Sequence, residues 1–218
     1  NKDSSKVDIR FAMCFPDVYE IGMSHLGIQI LYNMLNQRED VWCERVYSPW
    51  IDLDKILREE NIPLFALESQ DPVKQFDFLG ITIQYEMCYT NILQILDLSQ
   101  IPIHSEDRTW EYPLAEFFDL FYIGEGETVY DELLDLYKTC RAEGTSREEF
   151  LQRAACIEGI YAPGLYEASY HKDGTLKSFV PRIPGIPTKI KKQVFMDVTN
   201  ASYPMAPIVP FIKATQDR

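Results

Sequence analysis

Between Ile9 and Asn36 the apolar pattern changes period once, and that change leaves the chain few folds to choose from. Ile9 to Phe15 (IRFAMCF) is a short, mostly apolar run of residues that suit a pleated surface, closed by Pro16-Asp17. From Gly22 onward Met23, Leu26, Ile30 and Met34, with Ile28, Leu31 and Leu35 beside them, recur three and four apart, as an amphipathic helix requires. The spacing predicts a buried strand, a loop carrying Gly22, Ser24, His25 and Gly27, and a helix to Asn36. A strand that feeds a helix in this way opens an α/β sheet. Ligands of such sheets sit outside the carboxyl ends of the strands, so this loop is the first candidate site.

Two more junctions of the same kind follow. Phe76 to Ile83 (FDFLGITI) reads as a strand, with Gly80 marking close packing or a bulge, and runs through Gln84-Tyr85-Glu86 into a helical stripe of Met87, Ile92, Ile95 and Leu96. Asp119 to Ile123 (DLFYI) reads as a third strong strand. It ends in Gly124-Glu125-Gly126-Glu127-Thr128 before an amphipathic helix from Val129 to Lys138. Val41 to Tyr47 is a further strand, broken by Pro49-Trp50, and Asp52 to Glu60 a short helix with Leu53, Ile56 and Leu57 at helical spacing. Ser146 with Glu149 three residues later is a capping-box arrangement for a helix to Ala155.

Strands that alternate with helices imply a mostly parallel sheet covered on both faces. The expected fold class is therefore α/β, a Rossmann-like or flavodoxin-like three-layer sandwich over residues 1–158, with about five strands. From Glu158-Gly159 the character changes. Tyr166 to Tyr170 and Leu176 to Val180 flank Asp173-Gly174 and predict a hairpin. The prolines and the Lys189–Lys192 run beyond it read as a linker. Residues 159–218 are thus expected to form a β-rich, Pro-rich extension.

Composition excludes several functions. The formal charge is −13, from 21 basic and 34 acidic residues, a surface that repels phosphate backbones and argues against nucleic-acid binding. No apolar run approaches the roughly 20 residues of a membrane span. The opening NKDSSKVDIR lacks the apolar core of a signal peptide, so the expectation is no membrane partner and a cytoplasmic location. Five cysteines without C-x-x-C spacing, an odd count, suggest neither a metal cluster nor a disulfide framework; Cys14 and Cys88 read as small core residues. Asp17, Tyr19 and Glu20 offer acid/base groups without a nucleophile beside them, and local turn chemistry is their expected role.

Four landmarks in order, FPDVYEIGMSHLGIQILYNMLN, QFDFLGITIQYEMCYTN, DLFYIGEGE and the closing PIVPFIKATQDR, resemble the N-terminal half of radical S-adenosylmethionine (radical SAM) proteins with a cobalamin-binding-like domain. The resemblance implies a Rossmann-like domain ahead of a barrel whose C-x3-C-x2-C loop holds a [4Fe-4S] cluster and binds S-adenosylmethionine. No such cysteine motif occurs in the 218 residues, and the resemblance places it beyond Arg218. It also implies a strand ending in Gly-Gly-Pro ahead of DLFYIGEGE, where TWEYPLAEFF runs instead. A central strand is hard to delete from a parallel sheet. The expectation is therefore that a loop near Tyr112–Ala115 is missing from this sequence.

The resemblance also implies what each candidate does. Pro16, Asp17, Ser24, His25, Gln84, Tyr85, Glu86, Thr90, Gly124, Glu125, Gly126 and Glu127 would border cobalamin, with the barrel of the same polypeptide as partner and a substrate that is unknown. Histidine-ligated cobalamin proteins use D-x-H-x-x-G. Here Met23-Ser24-His25-Leu26-Gly27 has Met in place of Asp and Gly one residue early, so the carboxylate that orients a ligating imidazole is missing. His25 is expected to hydrogen-bond locally instead. For Gly124–Glu127 two readings stand: bare backbone approaching a corrin or nucleotide tail, or an acidic cap on a helix dipole. The domain alone is expected to be non-catalytic. The competing expectations are a purely structural cap on the barrel and a flavodoxin-like module for a flavin or nucleotide.

Overall fold

The computed structural model describes residues 2–115, 119–126 and 129–196. They divide between two units, which separate after Ala115.

The first unit is built on β1 (Ile9–Phe15), in which every residue except Arg10 is buried. A strand apolar on both faces needs neighbours on both edges, and β1 has them. It runs parallel to β2 (Val41–Tyr47), from Ile9 opposite Val41 to Phe15 opposite Tyr47, and parallel to β3 (Phe78–Ile81), from Phe11 opposite Phe78 to Cys14 opposite Ile81. A two-residue strand, β4 (Leu114–Ala115), pairs with β3, giving the order β2-β1-β3-β4. All four strands are parallel, so the α/β class read from the sequence holds. The place beside β3 that looked empty in TWEYPLAEFF is filled by Leu114–Ala115.

The first helical stretch is divided. A four-residue turn, α1 (Tyr19–Gly22), precedes α2 (Leu26–Gln37), whose buried side chains are Ile28 and Leu35. Leu26, expected on the inward stripe, is exposed, because α2 buries the neighbouring Ile28–Leu35 stripe instead. α3 (Ile51–Glu59) buries Leu57 and leaves Ile51, Leu53 and Ile56 largely exposed. α4 (Cys88–Leu98) buries Ile92, Ile95 and Leu96 as expected, whereas Met87 lies outside the helix and is exposed.

One charged group lies at the heart of the sheet. Glu44 on β2 is fully buried. Its carboxylate accepts from Arg10 Nη2 at 2.6 Å and from the Ser69 backbone N–H at 2.8 Å. Arg10 Nη1 reaches Asp71 at 2.9 Å, and the guanidinium lies over the Phe76 ring at 4.2 Å. The outer edge of β2 is covered by the segment after α3: Leu67 N–H donates to the Arg45 carbonyl at 2.9 Å, and Glu68 accepts from Arg45 N and Nε, both at 2.7 Å. That covering removes an open edge that would otherwise invite another strand.

The second unit departs from the expected sheet. β5 (Phe121–Tyr122) pairs antiparallel with β6 (Ile160–Tyr161) in a two-stranded sheet of its own, so the DLFYI run is not a further parallel strand. α5 (Val129–Glu143) and α6 (Arg147–Ala154) pack through Tyr137 against Phe150, edge to face with ring centroids 5.9 Å apart. Ser146 Oγ accepts from Glu149 N–H at 3.1 Å, the cap that the sequence announced. Arg147 and Asp119 form a buried ion pair at 2.9 Å. The hairpin forms as read, β7 (Tyr166–Tyr170) against β8 (Leu176–Pro181), with Gly174 in the left-handed conformation that its turn requires.

Removing one partner of a buried ion pair strands the other. Glu44→Ala should therefore lower stability by about 3 kcal/mol, read as a lower urea midpoint with an unchanged slope. A loss below about 1 kcal/mol would mean that Asp71 alone satisfies Arg10.

Candidate functional site

Because β1, β2 and β3 are parallel, their carboxyl ends share one edge, and the chain order reverses at β1, so the crevice between β1 and β3 is the topological switch point. Three hydrogen bonds tie its loops together. Asn91 Nδ2 on α4 donates to the Pro16 carbonyl at 2.8 Å, Ser48 N–H to the Asp17 carbonyl at 3.0 Å, and Thr82 N–H to the Cys14 carbonyl at 3.1 Å. The loop after β1 is thus held by the element after β2 and by the helix after β3.

On the β1 side Pro16 is buried and Asp17 half-buried, its carboxylate accepting from Val18 N–H at 2.8 Å. Ser24 is half-buried in the turn between α1 and α2. His25 is the N-cap of α2, its Nδ1 accepting from Ile28 N–H at 3.4 Å while the ring packs on Phe15 at 5.0 Å. An imidazole whose Nδ1 accepts carries its proton on Nε2 when neutral, so the nitrogen left over is a donor and has no lone pair for a metal. Local capping, the role read from the degraded motif, is what the geometry displays.

On the β3 side Gln84, Tyr85, Glu86 and Thr90 are all exposed, Tyr85 at 49%. Thr90 Oγ1 donates to the Met87 carbonyl at 3.2 Å. Cys88 and then the Asp17 carboxylate raise the pKa of the Tyr85 phenol, which brings the β1 and β3 loops into one electrostatic neighbourhood. Ile83, Met87 and Tyr89 add exposed apolar surface to the same rim. The Thr82 hydroxyl at its base is buried and has no hydrogen-bond partner among the described residues.

Gly124, Glu125 and Gly126 belong to the second unit, and Glu127 lies outside the described residues. Gly124 has φ +143°, and a Cβ there would sit 2.4 Å from the Gln193 carbonyl oxygen. The backbone of Gln193 crosses it: Gln193 N–H donates to Ile123 O at 3.0 Å and Glu125 N–H to Gln193 O at 3.2 Å. The Glu125 carboxylate accepts from Phe195 N–H at 2.6 Å, and the Tyr122 hydroxyl donates to the Glu125 carbonyl. The glycine admits a crossing chain segment, and the Glu125 N–H is already engaged.

Residues 27–163 match the family model described as radical SAM proteins, N-terminal. The chain belongs to this family. A curated relative, an uncharacterized protein of Methanocaldococcus jannaschii, is 31% identical over 124 residues, which cover 53% of this chain and 24% of that protein. The chain therefore matches less than a quarter of that relative's length. No solved structure matches.

This radical SAM N-terminal domain also has a concavity that sequence reasoning passed over. A cleft of 630 Å³ opens beyond the carboxyl end of β2, lined by Val18, Tyr19, Tyr47, Trp50, Leu64 and Phe65 among others. Tyr47 meets Tyr19 edge to face, with centroids 5.3 Å apart, and burial pushes its phenol up to about 12. Gly22 lets α1 close on that ring, since a Cβ there would stand 2.5 Å from Tyr47 Cε1. The available signal was Pro49-Trp50: an aromatic beside a proline at a strand end, which reads as a mere breaker until its exposure is known. Among the described residues no helix is long and apolar enough to cross a membrane.

Two outcomes follow from this geometry. Burial lowers the His25 pKa below its ordinary 6.5, so the unfolded chain binds that proton more readily. The stability that this contributes is complete above about pH 6.5 and is lost as the pH falls below it. His25→Asn keeps a capping acceptor, so urea titrations at about pH 7.5 and about pH 5 should show a smaller acid loss than in the parent chain; equal losses would clear His25 of the effect. Gly124→Ala should cost about 2 kcal/mol through strain and the contact with Gln193, and an unchanged urea midpoint would mean that the crossing contributes nothing.

Proposed function

We propose that this domain is the cobalamin-presenting N-terminal module of a radical SAM enzyme, not catalytic alone, whose partner is the barrel of the same polypeptide. The observation that carries the reading is the rim at the β1–β3 switch point. It is open, carries the exposed side chains of Tyr85, Met87 and Tyr89, and is bordered by Asp17 and Glu86, with a Thr82 hydroxyl at its base that has no hydrogen-bond partner among the described residues. Such a rim suits a broad, largely apolar macrocycle better than a phosphate-dense ligand, which its carboxylates would repel. That weighs against the flavin or nucleotide module.

In this reading Tyr85, Met87 and Tyr89 offer apolar faces to the ring, while Gln84 and Thr90 offer hydrogen bonds to its amide periphery. Pro16, Asp17 and Ser24 form the opposing wall, kept in place by Asn91 and Ser48. His25 remains the cap of α2 and gives cobalt no ligand. When bound, the cofactor would supply methyl transfer to an unreactive carbon. The barrel would supply the [4Fe-4S] cluster and reductive cleavage of S-adenosylmethionine. A cofactor-free structural cap is the second reading, favoured by the row Ile83, Tyr85, Met87, Tyr89 and Leu93, all exposed and apolar enough to pack on another domain.

Titration of the 218-residue chain with hydroxocobalamin separates these readings. The cobalamin reading expects shifted corrin bands, retention after desalting at one equivalent, and at least fivefold weaker binding in Tyr85→Ala/Tyr89→Ala, in line with the loss of two aromatic contacts at about 0.5–1.5 kcal/mol each. Unshifted bands with no retention overturn it and leave the structural cap. Protein that purifies yellow would favour the flavin module instead.

A further inference from the structure

The cleft at the end of β2 shares no lining residue with the rim residues named above, and its walls combine three features. Aromatic rings form much of its surface: Tyr19 and Tyr47 meet edge to face, Trp50 is 65% exposed at the mouth, and Phe65 contributes from the segment that covers β2. Aliphatic groups, Leu53, Leu64 and Leu67, complete it. The formally charged side chains lining it are Glu20 and Asp52, both carboxylates. Its volume of 630 Å³ lies within the range of sites for small organic molecules, about 300–1,000 Å³.

We propose that this cleft binds a small organic cation, an alkylated or protonated amine carried on an apolar body. Aromatic faces attract a cation through the ring quadrupole, and cages of two or three rings with a carboxylate at the edge are the established solution for alkylammonium groups. The Tyr47 phenol is neutral across the physiological range, as an ordinary tyrosine is, and burial raises its pKa further. The N-terminus of α3 would by itself favour an anion at the mouth. Asp52 answers that field from within, its carboxylate accepting from Leu53 N–H at 2.8 Å. An uncharged occupant would cover the Asp52 carboxylate without offering it a counter-charge, which a cation provides.

The position is also shaped for the task. Gly22 draws α1 against Tyr47 and so sets the angle at which the Tyr19 ring stands over the cleft. Ser48 Oγ donates to Gln94 Oε1 at 2.6 Å, and Gln94 Nε2 donates to Asp54 at 2.9 Å, which anchors the floor to α4 and α3. The cage therefore rests on a fixed frame, with Trp50 as its exposed wall.

The probe is benzyltrimethylammonium, added to the ¹⁵N-labelled 218-residue chain, with benzyl alcohol as neutral and benzenesulfonate as anionic control. The expected result is a saturable shift of the Trp50 indole N–H, identified by its loss in Trp50→Leu, with at least tenfold preference over both controls. Trp50→Leu removes an exposed side chain, so its melting temperature should match the parent while the shifts at Ser48 and Leu53 need at least fivefold more probe. Asp52→Asn should weaken binding by a smaller factor. No saturable shift at Trp50, equal affinity for either control, or full binding by Trp50→Leu would each overturn the proposal.

Discussion

β1 is hydrogen-bonded on both edges, and six of its seven side chains are buried, so its register against β2 and β3 cannot slip without turning the apolar set out of the core. Arg10, the one polar residue of the strand, makes that register specific. Its guanidinium must meet Glu44 on β2 and Asp71 beyond it, while its backbone N–H donates to the Asp77 carboxylate at 2.8 Å, just ahead of β3. Shifted by one residue, Glu44 would lie buried without a counter-charge, which costs several kcal/mol. The apolar strand supplies the driving force, and one cation among carboxylates selects the alignment.

That alignment delivers the functional geometry. With β1, β2 and β3 in fixed parallel register, Phe15, Tyr47 and Ile81 end on one edge, and the loops that follow them are close enough to share hydrogen bonds. Two different surfaces result. The β1–β3 crevice is open and carries exposed aromatic side chains. The β2 end is a concave cage with carboxylates at its edge. Both owe their character to an acidic chain that keeps cations committed elsewhere: Arg10 to Glu44, Arg45 to Glu68, and Arg58 to Asp54 and Asp97.

The individual candidates show how local chemistry limits inference. His25 stands in a degraded form of a cobalamin-ligand motif, and the local hydrogen bond expected of it is the one its position before a helix permits, with Nδ1 capping α2. For Gly124 two readings stood, bare backbone approaching a ligand or an acidic helix cap, and in the structure the segment that crosses the glycine is the chain itself, at Gln193. Tyr47 and Trp50 attracted no attention, since an aromatic at a strand end usually belongs to the core. Only the combination of a buried Tyr47 and an exposed Trp50 around one space gives them a role.

By itself the sequence determined what depends on neighbours along the chain. The switch of period at Ile9–Asn36 required a buried strand and a helix, Ser146 and Glu149 placed a helix start, and Asp173-Gly174 a hairpin turn. Each of these is satisfied within a few residues. The tertiary structure alone decided what depends on partners far away. It took β5 out of the parallel sheet, because Phe121–Tyr122 found Ile160–Tyr161 about forty residues on. It also packed Gly22 against Tyr47, which leaves no room for a Cβ, and turned the Ile28–Leu35 stripe of α2 inward. A periodic pattern records that one face is buried. Which surface buries it is set by packing between distant segments, and the clefts at the strand ends follow from that choice.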